Sequence, residues 1–283
     1  MPRRKVLLGQ ETKTLMTGAT GFLGSHVAKM LERLGHNLTI IKRKNSSLER
    51  IKSLSDKTVY VNIEDGIEES EFDYFFHIAT NYGKNGETFE EILKTNVDFP
   101  LSILDKVIIR KSLFNFDTSL PPDLNPYSLT KFKFLEKLKL NHPEIKIINL
   151  KLEHFFGPKD GKFIDYIING LKLNKEEISL TKGEQIRDFV YYKDVLTAIE
   201  VLLKSTDNGD YSVGSGHGLS LKEVVLKIKE LSGNTKTKLL WGSIPYRETE
   251  VMYSVADTKK LTDLGWKSQY SIDQGVREIL SSF

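Results

Sequence analysis

The chain of 283 residues contains no cysteine. That excludes disulfides, a thiolate nucleophile and cysteine-ligated metal. No apolar run approaches the length of a membrane span. In Met1–Gln10 the charges are followed only by Val6-Leu7-Leu8, too short for a signal-peptide core. That segment reads as a disordered leader or a cloning remnant. An excess of one charge is also missing: Lys plus Arg is 41 and Asp plus Glu is 38, a net of +3. So small and evenly spread a charge gives no footprint for nucleic acid. What is left is the composition of a cytoplasmic enzyme. Its length suits one large α/β domain, or one with a smaller lobe.

The strongest signal is Thr17-Gly18-Ala19-Thr20-Gly21-Phe22-Leu23-Gly24. A short β-prone stretch, Lys13–Met16, precedes it, and Val27, Met30, Leu31 and Leu34 follow at helical spacing. Strand, glycine turn and helix form the context of a dinucleotide-binding fingerprint. One glycine permits a tight turn, one lets backbone approach a pyrophosphate, and one lets the helix sit close on the strand. Thr20, Phe22 and Leu23 complete the turn, where a helix N-terminus offers N–H groups to phosphate.

His36–Ile41 reads as a second strand, with Lys42, Arg43 and Lys44 directly after it. A carboxylate here would hydrogen-bond an adenosine ribose and repel a 2′-phosphate. The three basic residues predict NADP(H) instead, with Arg43 gripping the phosphate and the lysines adding charge; NAD(H) is the alternative. A third strand over Lys57–Ile63 brings Asn62 and Ile63 to the adenine. A fourth over Phe72–Thr80 is an apolar run typical of a strand buried on both faces. It ends on Ala79 and Thr80, where open α/β sheets bind ligands. His77 within it reads as a packed core histidine. Asn81 and Tyr82, in the next loop, are candidate substrate contacts. Glu87–Ile109 is expected to be helical, with Pro100 kinking or restarting it. Leu113–Phe116 is expected as the fifth strand and Ile145–Leu152 as the sixth.

Asn125-Pro126 opens a helix that continues Tyr127-Ser128-Leu129-Thr130-Lys131. Tyr127 and Lys131 are four apart and share a helix face. A nearby ammonium favours the phenolate and lowers the tyrosine pKa from about 10. Ser119, just beyond the fifth strand, can hydrogen-bond the same substrate oxygen.

With these residues in view, the chain resembles the extended short-chain dehydrogenase/reductases, the NAD-dependent epimerase/dehydratase family, from Lys13 to the C-terminus. The resemblance implies a Rossmann-type doubly wound parallel sheet with a smaller C-terminal substrate-binding lobe. An NADP(H)-binding domain would cover 11–155. A nucleotide-sugar lobe would cover 156–283, interleaved with the first, its strands returning to the main sheet. By the family pattern Gly18, Gly21 and Gly24 bind the pyrophosphate and Ser119, Tyr127 and Lys131 form the catalytic triad. Asn96 matches a family asparagine beside the active site. Leu152–Pro158 resembles the family L-R-x-x-N-x-Y-G-P, with His154 where asparagine is usual. Gln185–Val195 resembles R-D-F-V-Y-V-x-D-V, which gives Arg187 the substrate diphosphate and leaves Asp188 and Asp194 structural. In the closing segment Arg247 would be a second diphosphate clamp and Glu250 would take the nucleotide ribose hydroxyls.

The short interval from Ser119 to Tyr127 is most similar to CDP-abequose/CDP-paratose synthase-type nucleotide-sugar 4-ketoreductases. The 4,6-dehydratases carry Thr-Asp-Glu after the fifth strand; here Asp117-Thr118-Ser119-Leu120 lacks the acidic pair, so dehydration is not expected. The implied activity is NADPH-dependent reduction of a 4-keto-6-deoxyhexose nucleotide. It would serve deoxysugar and surface-polysaccharide synthesis, such as lipopolysaccharide O-antigen. The alternatives are a 4-epimerase with tightly bound NAD and an idle NADP(H)-binding regulator. A homodimer, packed through the Tyr127 helix and the helix before it, is the expected assembly.

Overall fold

A computed structural model describes residues 11–282; Met1–Gln10 lies outside the described residues. No helix among them is long and apolar enough to cross a membrane. In chain order the elements begin with β1 (Thr12–Thr17), α1 (Phe22–Arg33), β2 (His36–Lys42), β3 (Val59–Asn62) and β4 (Ser70–His77). There follow α2 (Phe89–Leu93), α3 (Phe99–Leu104), β5 (Val107–Thr118), α4 (Pro126–Asn141), β6 (Ile147–Leu152) and β7 (His154–Phe156). Next come α5 (Phe163–Lys172), β8 (Glu177–Ser179), β9 (Ile186–Tyr191), α6 (Tyr192–Lys204), β10 (Gly209–Val213) and β11 (Gly218–Ser220). The chain closes with α7 (Leu221–Ser232), β12 (Lys238–Leu240), β13 (Tyr253–Ser254), α8 (Lys259–Asp263) and α9 (Ile272–Ser281).

The largest sheet has seven strands in the order β3-β2-β1-β4-β5-β6-β10. Pairings of β1 with β2 and β4, β2 with β3, β4 with β5, and β6 with β10 are parallel. This is the doubly wound order, and its direction reverses between β1 and β4, where such sheets bind ligands. The sequence-based expectation of a Rossmann-type doubly wound parallel sheet holds.

The chain divides into two compact units. One comprises the described residues up to Phe116 with Leu129–Ile147; the other comprises Asp117–Ser128 and the described chain from Ile148. In the first, α1 buries one face through Leu23, Val27, Ala28, Met30 and Leu31. Phe75, Leu113, Phe134 and Leu138 are fully enclosed at the centre of its core. In the second, β9 pairs with β7, β11 and β13. Capping boxes start α7 (Ser220 with Glu223) and α9 (Ser271 with Gln274).

Two sequence expectations need correction. The helix expected over Glu87–Ile109 stops at Leu104, and Val107–Ile109 belong to β5. The N–H groups of Asp105 and Lys106 close the last turn on Leu101 and Ile103. The β-branched run Val107-Ile108-Ile109 then pairs with Ser70, Glu71 and Phe72. Within the helical stretch, Lys94–Asp98 is a π-turn, and Pro100 restarts the α-helix near its N-terminus. The second correction concerns β4, which ends at His77 rather than Thr80. Its ladder is cut where Ile78 and Ala79 donate instead to the Thr17 carbonyl and hydroxyl, both at 3.3 Å.

Gly18, at φ +75°, has no room for a side chain: a Cβ would lie 2.5 Å from the Ala79 nitrogen. A Cβ on Gly24 would overlap the Gly18 carbonyl oxygen. Gly21 has an extended backbone (φ −77°, ψ 175°) and is exposed. In urea denaturation, Gly24→Ala is expected to lose about 2–4 kcal/mol of stability, by forcing backbone apart. Gly21→Ala is expected to stay within about 0.5 kcal/mol of wild type.

Candidate active site

The glycine turn forms a cradle at the end of β1. Gly21 N–H donates to Gly18 O at 3.1 Å, closing the turn. No side chain caps the start of α1, and its first turn carries no acidic residue. Its positive end is therefore not offset by a side chain of its own. With Gly21 side-chain-free and exposed, the cradle fits the pyrophosphate of a dinucleotide.

At the ends of β2 and β3, Lys42 Nζ donates to Asn62 Oδ1 at 2.9 Å, and Asn62 Nδ2 donates to Asp65 at 2.8 Å. Ile63 opens a short 3₁₀ turn after them. Arg43 and Lys44 are exposed. The Glu64 carboxylate accepts the Lys44 backbone N–H at 3.1 Å. Sequence reasoning did not place this acid here, because only the parallel pairing of β2 with β3 brings it alongside.

Beyond β4, Asn96 ties the neighbouring loop down. Its Oδ1 accepts Asn81 N–H at 2.7 Å and the Thr80 hydroxyl at 3.4 Å. Its Nδ2 donates to Asn81 O and to Thr130 Oγ1, each at 2.9 Å. All four hydrogen-bonding positions of this amide are used, at a residue only 1% exposed. The π-turn carrying Asn96 is a helix distortion common near functional residues. Nothing in the sequence signalled it. Tyr82, next along the loop, is exposed on its surface.

Helix α4 carries Tyr127 and Lys131 one turn apart. Its start is fixed by reciprocal bonds: Ser128 N–H donates to Asn125 Oδ1 at 3.0 Å, and Asn125 N–H to Ser128 Oγ at 3.2 Å. Pro126, with no N–H to satisfy, opens the helix. Lys131 is 2% exposed, an unusual setting for an ammonium. Tyr127 is half-buried. Ser119 is half-buried and its N–H donates to Leu152 O at 3.3 Å. Asp117, just upstream, is buried and accepts from Asn149 Nδ2 at 3.0 Å.

In the second unit Arg187 is buried beside Glu250, with Nη2 2.8 Å from Oε1. Burial lowers the guanidinium pKa, while Glu250 and then Glu153 oppose that. Arg187 Nη1 also donates to the Ile186 carbonyl at 2.9 Å. These bonds use two of five donors, so the fork has N–H groups for a phosphate while keeping Glu250. Arg247 is exposed. His154 Nδ1 lies 3.6 Å from the Glu153 carboxylate, and its ring tilts on Phe189. Asp188 and Asp194 have structural surroundings. The first accepts N–H groups of Ser215, Gly216 and Ala256; the second accepts those of Gln269 and Tyr270 and the Ser268 hydroxyl.

Sheet order, glycine cradle and the spacing on α4 together define a dinucleotide-binding α/β protein. Residues 14–214 match the NAD dependent epimerase/dehydratase family, and the chain belongs to that family. It is 35% identical over 295 residues to the CDP-abequose synthase of Salmonella muenchen, spanning 97% of this chain and 99% of that protein. It is 32% identical to the CDP-abequose synthase of Salmonella typhimurium, over 94% of this chain and 96% of that one. Its fold is similar to that of the UDP-glucose 4-epimerase from Thermotoga maritima solved with UDP-glucose. There the TM-score is 0.81 at 22% identity, covering 95% of this chain and 98% of that one.

Because Asn96 satisfies buried groups of two segments, Asn96→Leu should strand the Asn81 N–H and carbonyl and cut the tie to α4. Equilibrium urea unfolding is expected to show a loss of about 2–4 kcal/mol.

Proposed function

We propose that this chain reduces the 4-keto group of a nucleotide-linked 4-keto-6-deoxyhexose in deoxysugar synthesis. A CDP-linked sugar is favoured as substrate and NADPH as coenzyme. The observation that carries this reading is the near-full-length likeness to two CDP-abequose synthases. Tyr127 and Lys131 on α4 give it a chemistry. A nicotinamide dinucleotide, when bound, supplies the hydride.

The chain's own residues do the rest. Gly18, Thr20, Gly21, Phe22, Leu23 and Gly24 hold the pyrophosphate. Lys42, Arg43 and Lys44 favour a 2′-phosphate, while Asn62, Ile63, Ala79, Thr80 and Asn96 line the coenzyme's path. Ser119 orients the keto oxygen by a hydrogen bond. Tyr127 gives its proton to the oxygen forming at C4. Lys131 keeps the phenolate accessible by its charge and holds the nicotinamide ribose. Arg187 and Arg247 clamp the substrate diphosphate, Glu250 takes the ribose hydroxyls, and Asn81, Tyr82 and His154 meet the sugar nucleotide. No acidic pair follows Ser119, which argues against water elimination.

A homodimer is part of the same reading. Phe89 on α2 and Phe132 and Leu140 on α4 are 42%, 43% and 79% exposed, apolar material suited to a second copy.

A second reading, a nucleotide-sugar 4-epimerase, is favoured by the 24% identity to pea UDP-glucose 4-epimerase. The two readings part on the coenzyme. The reductase is expected to release NADPH readily and to prefer it over NADH in fluorescence titration. Stoichiometric NAD retained through purification would put the epimerase first. With keto sugar and NADPH supplied, Tyr127→Phe is expected to lower kcat by about two to four orders of magnitude. A near-normal rate would remove Tyr127 from the role of acid.

A further inference from the structure

The clamp around Arg187 carries more acid than a diphosphate site can use. Glu250 lies 2.8 Å from the guanidinium, and the charge of Glu153 also acts on it. Arg247 and Glu248, in the turn that leads to Glu250, add one charge of each sign. Carboxylates therefore outnumber cations, and an anionic ligand meets net repulsion. Lys162 does not correct the balance, since it sits over the Phe155 ring and its charge falls on Asp160.

One more group can supply positive charge. Ser254 on β13 pairs with Arg187 on β9, and Phe189 on β9 pairs with His154 on β7. Arg187 and Phe189 are two apart, so these four residues share one face of the small sheet. Glu153, adjacent to His154, would point to the opposite face of a regular strand. Here the chain bends, and Phe155 N–H donates back to the Glu153 carbonyl at 2.8 Å. The bend brings the Glu153 carboxylate, 4% exposed, to the Ser254 hydroxyl at 2.8 Å and to His154 Nδ1 at 3.6 Å. Nδ1 is itself buried and has no hydrogen-bond partner. A lone pair there would face a buried anion, so Nδ1 carries a proton. The imidazole is 39% exposed, and with Nδ1 buried that exposure lies at its Nε2 end. The charged groups on this face are Glu153 beside the ring, Arg187 on β9, and Glu250 before β13; Phe189 and, beyond it, Phe163 of α5 are apolar.

We propose that diphosphate binding at this clamp is proton-coupled: His154 takes a proton from solvent at Nε2 as the sugar nucleotide arrives, while Glu153, a positioning residue, holds the Nδ1–H. The imidazolium then bridges Glu153 and a phosphate oxygen, and the excess acid is offset where the ligand sits. Imidazole suits this task because its ordinary range lets it change charge near neutral pH. Asparagine, usual at this position in the family pattern, makes a hydrogen bond but brings no charge. The inference rests on the reading of Arg187 as a sugar-nucleotide diphosphate clamp.

The test is calorimetry of CDP-glucose binding to the full chain at about pH 8, in two buffers of different ionisation heat. The diphosphate of this probe is a diester and does not itself titrate near neutrality. Wild type is expected to take up more than about half a proton, with an association constant that falls by up to about tenfold per pH unit as pH rises. His154→Asn is expected to bind with no uptake and no pH slope. Glu153→Gln, which keeps an acceptor for Ser254 but removes the charge, is expected to lose most of the uptake. Wild-type binding without proton uptake overturns the proposal by itself, whichever variants fold. Uptake that persists in folded His154→Asn, or is undiminished in folded Glu153→Gln, overturns it as well. If neither CDP-glucose nor UDP-glucose binds at any pH, the clamp reading fails and this inference falls with it.

Discussion

Backbone touches backbone where β1 leaves its sheet, and much of the first unit follows from that contact. Gly18 has no space for a methyl group against Ala79. Thr17 uses both of its oxygens to take the next two N–H groups of β4's exit. The two strand ends are thereby locked at one height. Because the sheet order reverses between these strands, the lock also fixes the mouth of the ligand crevice. From there the constraint passes along the chain. The path after Ala79 brings Thr80 and Asn81 to Asn96, and Asn96 reaches Thr130 on the helix that carries Lys131.

The second unit rests on a different principle, the neutralisation of buried charge. Asp188 is 0% exposed and accepts three backbone N–H groups from two segments. Asp194 does the same for the turn before α9. Such carboxylates are occupied by structure and have nothing to offer a substrate. Arg187 differs. Its fork is buried and charged, yet two of its bonds leave donors over, so it is both a strut and a candidate clamp.

The legible parts of the sequence were those where covalent geometry or short-range patterning decides the outcome. Gly18 and Gly24 announced the turn because no other residue tolerates those backbone approaches. Pro126 after Asn125 announced the start of α4. The apolar run of β4 announced a strand buried on both faces. Illegible parts were decided by partners distant in sequence. Val107–Ile109 looked like a helix's tail and became strand because Ser70–Phe72 lay ready to pair with them. Glu64 reached Lys44 only through parallel pairing. The π-turn at Asn96 has no marker in its residue types, since it arises from where that amide must reach. His77 reads as core from sequence, but only the fold shows that its Nδ1 meets the Thr17 hydroxyl while its Nε2 is buried without a hydrogen-bond partner.

The fully used amide of Asn96 has a consequence for kinetics. A loop held by three hydrogen bonds to one side chain, itself anchored on α4 by a fourth, has given up its conformational freedom at the time of folding. A ligand that meets Thr80 and Asn81 therefore has little entropy of ordering left to overcome there. Such an edge would select by fit to a standing shape, as a die selects, with encounter rather than loop closure setting the tempo.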